Sequence, residues 1–222
     1  LEAIIEDDGF TRLGLEEPFV LMVKEYMKFQ ECDDVISFDP GSMFLTHGEA
    51  RIESIHVPGH SPGHAAFRIT FEESFGNHAI LYVSDIGSHP YYGNFNSDLP
   101  QYRDSIDKLE EIYLKGNYYL IPAHGTYYLE RDEKFFERIR KKIDDNEQAV
   151  LDMLSTTKPK SIKDMVFEWV LTPKDRVNSY LKKLYLLWDG GMIHQHLREL
   201  IQEGVVEMVE TKDFLNDKYL LS

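Results

Sequence analysis

The stretch VPGHSPGH, residues 57–64, decides how this chain is interpreted, because it places a histidine on a tight Pro-Gly turn. A β-branched run at residues 51–57 leads into it and predicts a strand that ends at the turn. Glycine lets the backbone turn sharply, so the His60 side chain can face a cavity at the strand end. One histidine in such a place is more often a hydrogen-bonded loop residue than a metal ligand, so the interpretation depends on the rest of the chain.

Two later stretches, AILYVSDIG and YYLIPAHG, repeat this arrangement. The apolar run at residues 79–83 predicts a buried strand with Asp85 just past its end, and the run at residues 118–121 does the same for His124. Imidazole and carboxylate groups are ordinary zinc ligands. The sequence therefore predicts a metal site formed by His60, Asp85 and His124.

Composition narrows the class of protein. The 222 residues can form one large or two modest domains with a real core. The single cysteine, Cys32, excludes an internal disulfide framework and a cysteine-rich zinc finger, which favours a reducing, cytoplasmic compartment. No apolar run approaches the roughly 18 residues of a membrane-spanning helix. The formal net charge of −15 argues against broad nucleic-acid binding and favours small substrates.

The remaining patterns predict the secondary structure in chain order. We expect helical structure over residues 1–33, then two strands within residues 34–57 with a turn at Asp39-Pro40-Gly41. Alternating residues from His64 and a Gly76-Asn77 turn predict a hairpin with the strand that precedes Asp85. An amphipathic helix follows over residues 101–115, and a long charged helix begins at Arg131.

The end of the chain reads as a second, smaller unit. Three helices are predicted, at residues 161–170, 179–188 and 192–204, followed by a terminal hairpin with Asn216-Asp217 at its turn. Three helices and a two-stranded wing describe a winged-helix domain. We therefore predict one domain over residues 1–137 and a winged-helix-like domain over residues 138–222.

The other histidines are interpreted one by one. His194 and His196 form an H-x-H pattern, but residues i and i+2 of a helix point about 200° apart and cannot both face one ion, so we interpret both as structural. For His64 two roles stay open, a hydrogen bond that supports the ligand loop and simple packing at the start of a strand. The loop at residues 88–100 could line a substrate pocket through His89, Tyr91 or Tyr92, and the sequence does not choose among them.

The motifs VPGHSPGH, YVSDIG and IPAHG resemble, in order and spacing, the later ligand motifs of the metallo-β-lactamase-fold hydrolase superfamily. The stretch HQHLRELIQEGVVEMV resembles the end of the small winged-helix domain in the branch similar to the beta-lactamase-like protein 2 group. The resemblance implies an α+β fold with an αββα sandwich. It also implies two zinc ions bridged by Asp85, with His60 completing one shell and His124 the other, although iron or manganese would also suit these ligands. A water held between the metals would attack the substrate, so no catalytic protein nucleophile is expected.

One family motif is missing. Members carry an H-x-H-x-D-H stretch before the Pro-Gly-His turn, and none of the 222 residues forms such a string. By spacing, it should lie just upstream of Leu1, so either the chain begins inside a larger protein or its lineage has lost the motif. Retention of all three later ligand types favours the first explanation. The chain alone is predicted to be inactive, with an N-terminally incomplete sandwich.

Three functions stay open. The first is a hydrolase that uses metal-activated water on an ester, thioester or related small substrate. The second is a metal-dependent endoribonuclease, and the third is a non-catalytic, nucleic-acid-binding regulatory module. Residues 150–222 carry 10 basic and 11 acidic residues, which falls short of a basic face. We expect a small-molecule substrate as partner and no membrane, with single-stranded RNA and a homodimer left open.

Overall fold

The computed structural model describes residues 25, 28, 30, 34–46, 50–71, 79–94, 96–168, 171–172, 182–212 and 215–222. The predicted N-terminal helices and the Gly76-Asn77 turn thus lie almost wholly outside the described residues. The chain forms two compact units. We call Val35–Tyr92 with Ser97–Asp144 the sheet unit, and Leu1–Asp34 with Gly93–Asn96 and Asp145–Ser222 the helical unit. The predicted boundary at residues 137/138 stays a prediction.

The sheet unit contains a five-stranded sheet in sequence order. Its strands are β1 (Met43–Thr46), β2 (Ala50–His56), β3 (Ala65–Phe71), β4 (Ala79–Ser84) and β5 (Tyr118–Pro122). The first three pairings are antiparallel, which confirms the predicted β3–β4 hairpin, whereas β4 and β5 are parallel. The two strands predicted within residues 34–57 are β1 and β2, and the predicted turn is present at Pro40-Gly41, while residues 34–42 before β1 contain no strand.

Helix α1 (Leu99–Lys115) connects the two parallel strands and confirms the predicted amphipathic helix. It begins two residues before the prediction because the Asp98 side chain caps it, accepting a hydrogen bond from the Gln101 amide. A proline in the first turn costs no hydrogen bond there. Its buried stripe is Leu99, Tyr102, Ser105, Ile106, Leu109 and Tyr113. The crossover places the ends of β4 and β5 at the same sheet edge.

The helical unit is built around helices α2 (Phe135–Met153, which begins in the sheet unit), α3 (Ile162–Phe167) and α4 (Lys182–Gln202). A three-stranded antiparallel sheet with order β6-β8-β7 accompanies them, formed by β6 (Lys160–Ser161), β7 (Val206–Glu210) and β8 (Lys218–Leu221). The β7–β8 pair confirms the predicted terminal hairpin. The buried core consists of Val150, Leu154, Ile162, Met165, Val166, Ile193, Leu197, Leu200, Val206 and Tyr219.

The two helices predicted at residues 179–188 and 192–204 are one continuous helix, α4. The prediction took Gly190-Gly191 for a break, and it is wrong because both glycines serve packing. A Cβ on Gly191 would lie 1.7 Å from the carbonyl oxygen of Gly93, and one on Gly190 would lie 3.3 Å from Ile162. Gly191 therefore lets other backbone approach the helix, and Gly190 leaves room for the Ile162 side chain.

The fold is mixed α/β, as predicted. Within the described part of the sheet unit one sheet is present, so the second sheet of the predicted sandwich stays a prediction, as does the winged-helix assignment of the helical unit. Among the helices that the structure describes, none has the length and apolar character needed to cross a bilayer.

Candidate metal centre

The Pro-Gly-His turn is held against the start of helix α1. Gly59 has φ +119°, and a Cβ there would lie 2.3 Å from the backbone nitrogen of Tyr102, so only glycine fits. The Asp98 amide donates to the Gly59 carbonyl at 2.9 Å, and the Ser105 hydroxyl donates to the Pro58 carbonyl at 2.7 Å. These contacts fix the backbone directly before His60.

The His60 imidazole is oriented by a backbone carbonyl. Its Nδ1 lies 2.8 Å from the Tyr91 carbonyl oxygen. Since a carbonyl can only accept, Nδ1 carries the proton, and the Nε2 lone pair of the neutral ring is left for another partner. Nε2 faces Asp85, with 4.0 Å to Oδ2. A histidine held in this way is typical of metal ligands, whose second nitrogen usually donates to a carbonyl or carboxylate.

Asp85 follows the end of β4, where the chain turns through Ser84 at φ +52°. The Tyr102 hydroxyl donates to the Asp85 carbonyl at 3.2 Å. Burial raises the pKa of Tyr102, so this hydroxyl keeps its proton and remains a donor. The Asp85 side chain is 30% exposed, which leaves its carboxylate open to a ligand.

His124 reaches the same place from the parallel neighbour, β5. The Ala123 amide donates to the Ser84 carbonyl at 2.7 Å, which joins the two strand ends. His124 Nε2 lies 3.2 Å from Asp85 Oδ1, and Gly125 turns the chain away with φ +97°. The Oδ1 atom of Asp85 thus faces His124, while Oδ2 lies 4.0 Å from His60 Nε2 and 3.7 Å from His64 Nε2.

The His64 imidazole lies behind this group and is buried. Its Nδ1 is 2.9 Å from the Val57 carbonyl and must donate, so its Nε2 accepts the Asp85 amide hydrogen, at 3.2 Å. Burial lowers the pKa of His64, which agrees with the neutral ring that this pattern requires. Of the two roles left open by the sequence, the structure supports the hydrogen-bonding one.

The donor set fits a divalent transition metal by its chemistry, and each of the two histidines lies close enough to Asp85 to share an ion with it. Two imidazoles and a carboxylate suit zinc, iron or manganese. Two ligands that share an ion through bonds of about 2 Å lie roughly 3 to 4 Å apart, and the separations of 3.2 and 4.0 Å agree with this. The structure brings the three predicted residues together, while their role as ligands stays a prediction.

A second group of donors lies in the helical unit. One ligand atom from each of Glu147, His196 and Glu199 lies within 4.8 Å of the others, so the group could hold a metal ion. His196 is fully buried, with Nδ1 3.3 Å from Glu147 Oε2. The interpretation of His196 as structural agrees with this pairing. His196 and Glu199 are three residues apart on α4, a spacing visible in the sequence, but nothing in the sequence pairs them with Glu147.

The residues proposed to line a substrate pocket have different surroundings. Tyr92 is fully buried, with its ring 5.7 Å from that of Tyr102, and therefore serves packing. Tyr91 acts through its carbonyl on His60, and His89 is exposed beside the Ser88 hydroxyl. Sequence reasoning missed Tyr102 as a support of Asp85, because a helical core tyrosine carries no signal of the backbone that its hydroxyl will meet.

Comparisons with known proteins show the fold. No protein-family model and no curated protein matches the chain. Solved structures do. A metallo-beta-lactamase family protein from Thermus thermophilus matches with a TM-score of 0.61 and 16% identity, over 97% of this chain and 68% of that protein. The chain has a metallo-β-lactamase-type fold. A beta-lactamase domain protein from Burkholderia ambifaria matches with a TM-score of 0.64 and 17% identity, over 96% of this chain, which spans only 60% of that protein's length.

Proposed function

We propose that this chain carries part of the metal centre of a metal-dependent hydrolase, with His60, Asp85 and His124 as ligands. The observation behind the proposal is that the Asp85 carboxylate lies between two imidazoles, with Oδ1 3.2 Å from Nε2 of His124 after the parallel neighbour β5 and Oδ2 4.0 Å from Nε2 of His60 in the turn after β2. Imidazoles near both oxygens of one carboxylate form a donor set that could hold two metal ions. The metallo-β-lactamase-type fold supports the same conclusion.

Each residue has a separate task in this proposal. Asp85 through its carboxylate, His60 through its Nε2 and His124 through its imidazole would hold the metal. Metal held by these residues would supply Lewis-acid chemistry and activation of water for hydrolysis. The Tyr91 carbonyl keeps the Nε2 lone pair of His60 directed at the site. The partly exposed Asp85 and the exposed His124 leave the centre open to substrate.

For the substrate we propose an ester, thioester or related small molecule. The chain carries a formal net charge of −15, which disfavours a polyanion. The reaction would take place in a reducing, cytoplasmic compartment. A winged-helix function for the helical unit, and with it cleavage of single-stranded RNA, is the second candidate. Its support is the presence of α3, α4 and a three-stranded sheet in a nearly neutral part of the chain.

The ligand assignment is tested by equilibrium dialysis of the chain against Zn²⁺. Asp85→Ala and His124→Ala are expected to lower bound zinc strongly while leaving the circular dichroism spectrum unchanged, since both side chains are partly or largely exposed. His89→Ala, another exposed histidine of the sheet unit, is the matched control and should bind as the wild type does. His196→Ala removes any zinc held by the helical unit. Equal binding by Asp85→Ala and His89→Ala would reject the assignment.

The activity is tested on a longer protein in which an H-x-H-x-D-H stretch precedes this chain. We expect about two metal ions per chain and hydrolysis that Asp85→Ala abolishes. Assays with a thioester, a lactone and a single-stranded RNA separate the candidates. Turnover of the small esters supports the first candidate, and cleavage of RNA alone supports the second. Tight, salt-sensitive duplex binding without metal or hydrolysis would leave only the regulatory module.

A further inference from the structure

We propose that His64 is a positioning residue that sets the orientation of the Asp85 carboxylate by holding the Asp85 backbone. The importance of His64 for metal binding rests on the proposed function, whereas its hydrogen bonds are observed independently of that proposal. The second histidine of the PGHSPGH stretch would then have a task distinct from that of the first. The Nε2 atom of His60 faces the site, whereas both ring nitrogens of His64 form hydrogen bonds with backbone groups.

The two hydrogen bonds of His64 join the ends of two strands that are far apart in the chain. Val57 directly follows β2. Its carbonyl accepts from His64 Nδ1, and its amide donates to the His64 carbonyl at 2.9 Å. The Asp85 amide belongs to the end of β4. One buried ring therefore connects the loop that carries His60 to the turn that carries Asp85, and the direction of both bonds requires the Nδ1-protonated tautomer.

The Asp85 peptide is fixed from both sides. His64 accepts from its amide, and Tyr102 donates to its carbonyl. Ser84 directly before it adopts φ +52°, a conformation that non-glycine residues avoid unless their surroundings impose it. With the backbone held in this way, only the side-chain torsions of Asp85 determine how its carboxylate is oriented toward His60 and His124. Pre-fixed ligands of this kind bind metal more tightly than mobile ones.

A packing role and a hydrogen-bonding role predict opposite outcomes for two substitutions. His64→Leu fills the site with an apolar side chain but removes both hydrogen bonds, so the partly buried Asp85 amide loses its partner. His64→Gln keeps one donor and one acceptor. If His64 only packs, His64→Leu should preserve Asp85 amide protection and zinc affinity better than His64→Gln does. If His64 positions Asp85, His64→Gln should preserve them better. His56→Ala is the matched control, since His56 bonds the Pro62 carbonyl of the same loop at 2.7 Å and is not bonded to Asp85.

The experiment combines NMR with metal titration on the whole chain. In the wild type we expect the ¹⁵N spectrum to show Nε2 of His64 as the unprotonated nitrogen. Hydrogen exchange of the Asp85 amide should be about 10-fold faster in His64→Leu and near wild type in His64→Gln and His56→Ala. Titration with Zn²⁺ should show about 10- to 100-fold weaker binding for His64→Leu, with glutamine restoring most of the affinity.

The readouts separate the two proposals. Unchanged Asp85 exchange in His64→Leu, or an Nε2-protonated wild-type ring, would overturn the positioning role whatever the metal does. Faster exchange with a wild type that binds no zinc would sustain the backbone role and reject the metal site. Faster exchange with unweakened zinc binding would show that Asp85 does not need this support, which also overturns the proposal.

Discussion

At the scale of single residues, Gly59 is the position where the site tolerates least change. Gly59→Ala would place a methyl group 2.3 Å from the Tyr102 nitrogen in a backbone conformation of φ +119°. We expect a loss of roughly 3 kcal/mol in the free energy of unfolding, from strain plus a backbone clash. Gly63→Ala in the same loop meets nothing within 4 Å and should change stability by less than about 0.5 kcal/mol. Urea unfolding followed by circular dichroism measures both, and equal midpoints would contradict the prediction.

Asp189 gives the helical unit a dependence on pH. Its Oδ1 accepts from the Thr172 hydroxyl at 3.0 Å, and Oδ2 has no hydrogen-bond partner within the described part of the chain. Burial raises its pKa from 3.8 to about 6. At pH values between 3.8 and about 6, the Asp189 carboxyl is protonated in the folded state and ionised in the unfolded state. Stability therefore falls as pH rises from about 4 to about 6 and stays lower above that, by roughly 2 to 3 kcal/mol.

Asp189→Asn removes this titration while keeping an oxygen for Thr172. We expect the variant to gain stability relative to the wild type as pH rises from 4 to 7, and the gain to level off above pH 6. Urea unfolding followed by tryptophan fluorescence is suitable, because Trp188 is the neighbouring residue. A stability difference that is independent of pH would show that the carboxyl is not shifted.

At the scale of elements, helix α3 depends on its first turn. The Ser161 hydroxyl accepts from the Asp164 amide, and the Asp164 carboxylate accepts from the Ser161 amide at 3.1 Å, which completes a capping box. The Ser161 hydroxyl also lies 2.8 Å from Asp164 Oδ2, and its hydrogen bond to the carboxylate, together with that from the Ser161 amide, lowers the pKa of Asp164. Ser161→Ala should cost about 1 kcal/mol, whereas Ser161→Thr keeps the cap and should cost much less. Thermal unfolding of the two variants at neutral pH checks this, and identical losses would argue against the cap.

The elements also show how far sequence reasoning reaches. Apolar runs before Asp85 and His124 predicted β4 and β5, because a buried strand needs a continuous run of apolar residues. Gly190-Gly191 misled the prediction, since a glycine that relieves a contact with Gly93 looks in sequence like one that ends a helix. The ligand geometry needed the parallel pairing of β4 and β5, which no local pattern encodes. The bond from the Tyr102 hydroxyl to Asp85 was beyond reach for the same reason, whereas for His64 the sequence left a hydrogen-bonding role open without identifying Asp85 as the partner.

At the scale of the whole molecule, metal should act as a stabilising ligand. A ligand that binds the folded state alone raises the free energy of unfolding, by about 2.7 kcal/mol at 100 times its dissociation constant. We expect Zn²⁺ to raise the unfolding midpoint of the wild type in a concentration-dependent way and a chelator to reverse the shift. Asp85→Ala should show no such shift in a His196→Ala background, in which the helical unit has lost its buried imidazole. A shift that survives both substitutions would place the zinc elsewhere.

The parallel pairing of β4 with β5 also determines when the centre can form during folding. His60, Asp85 and His124 meet only after the chain has made the crossover through α1 and closed a long loop, and such non-local contacts form slowly. Contacts absent from the folding transition state alter the unfolding rate and leave the folding rate unchanged. In stopped-flow experiments, zinc should therefore lower the unfolding rate of the native protein and leave its folding rate unchanged. The metal would stabilise the sheet kinetically once the sheet has formed, and it would take no part in the folding reaction itself.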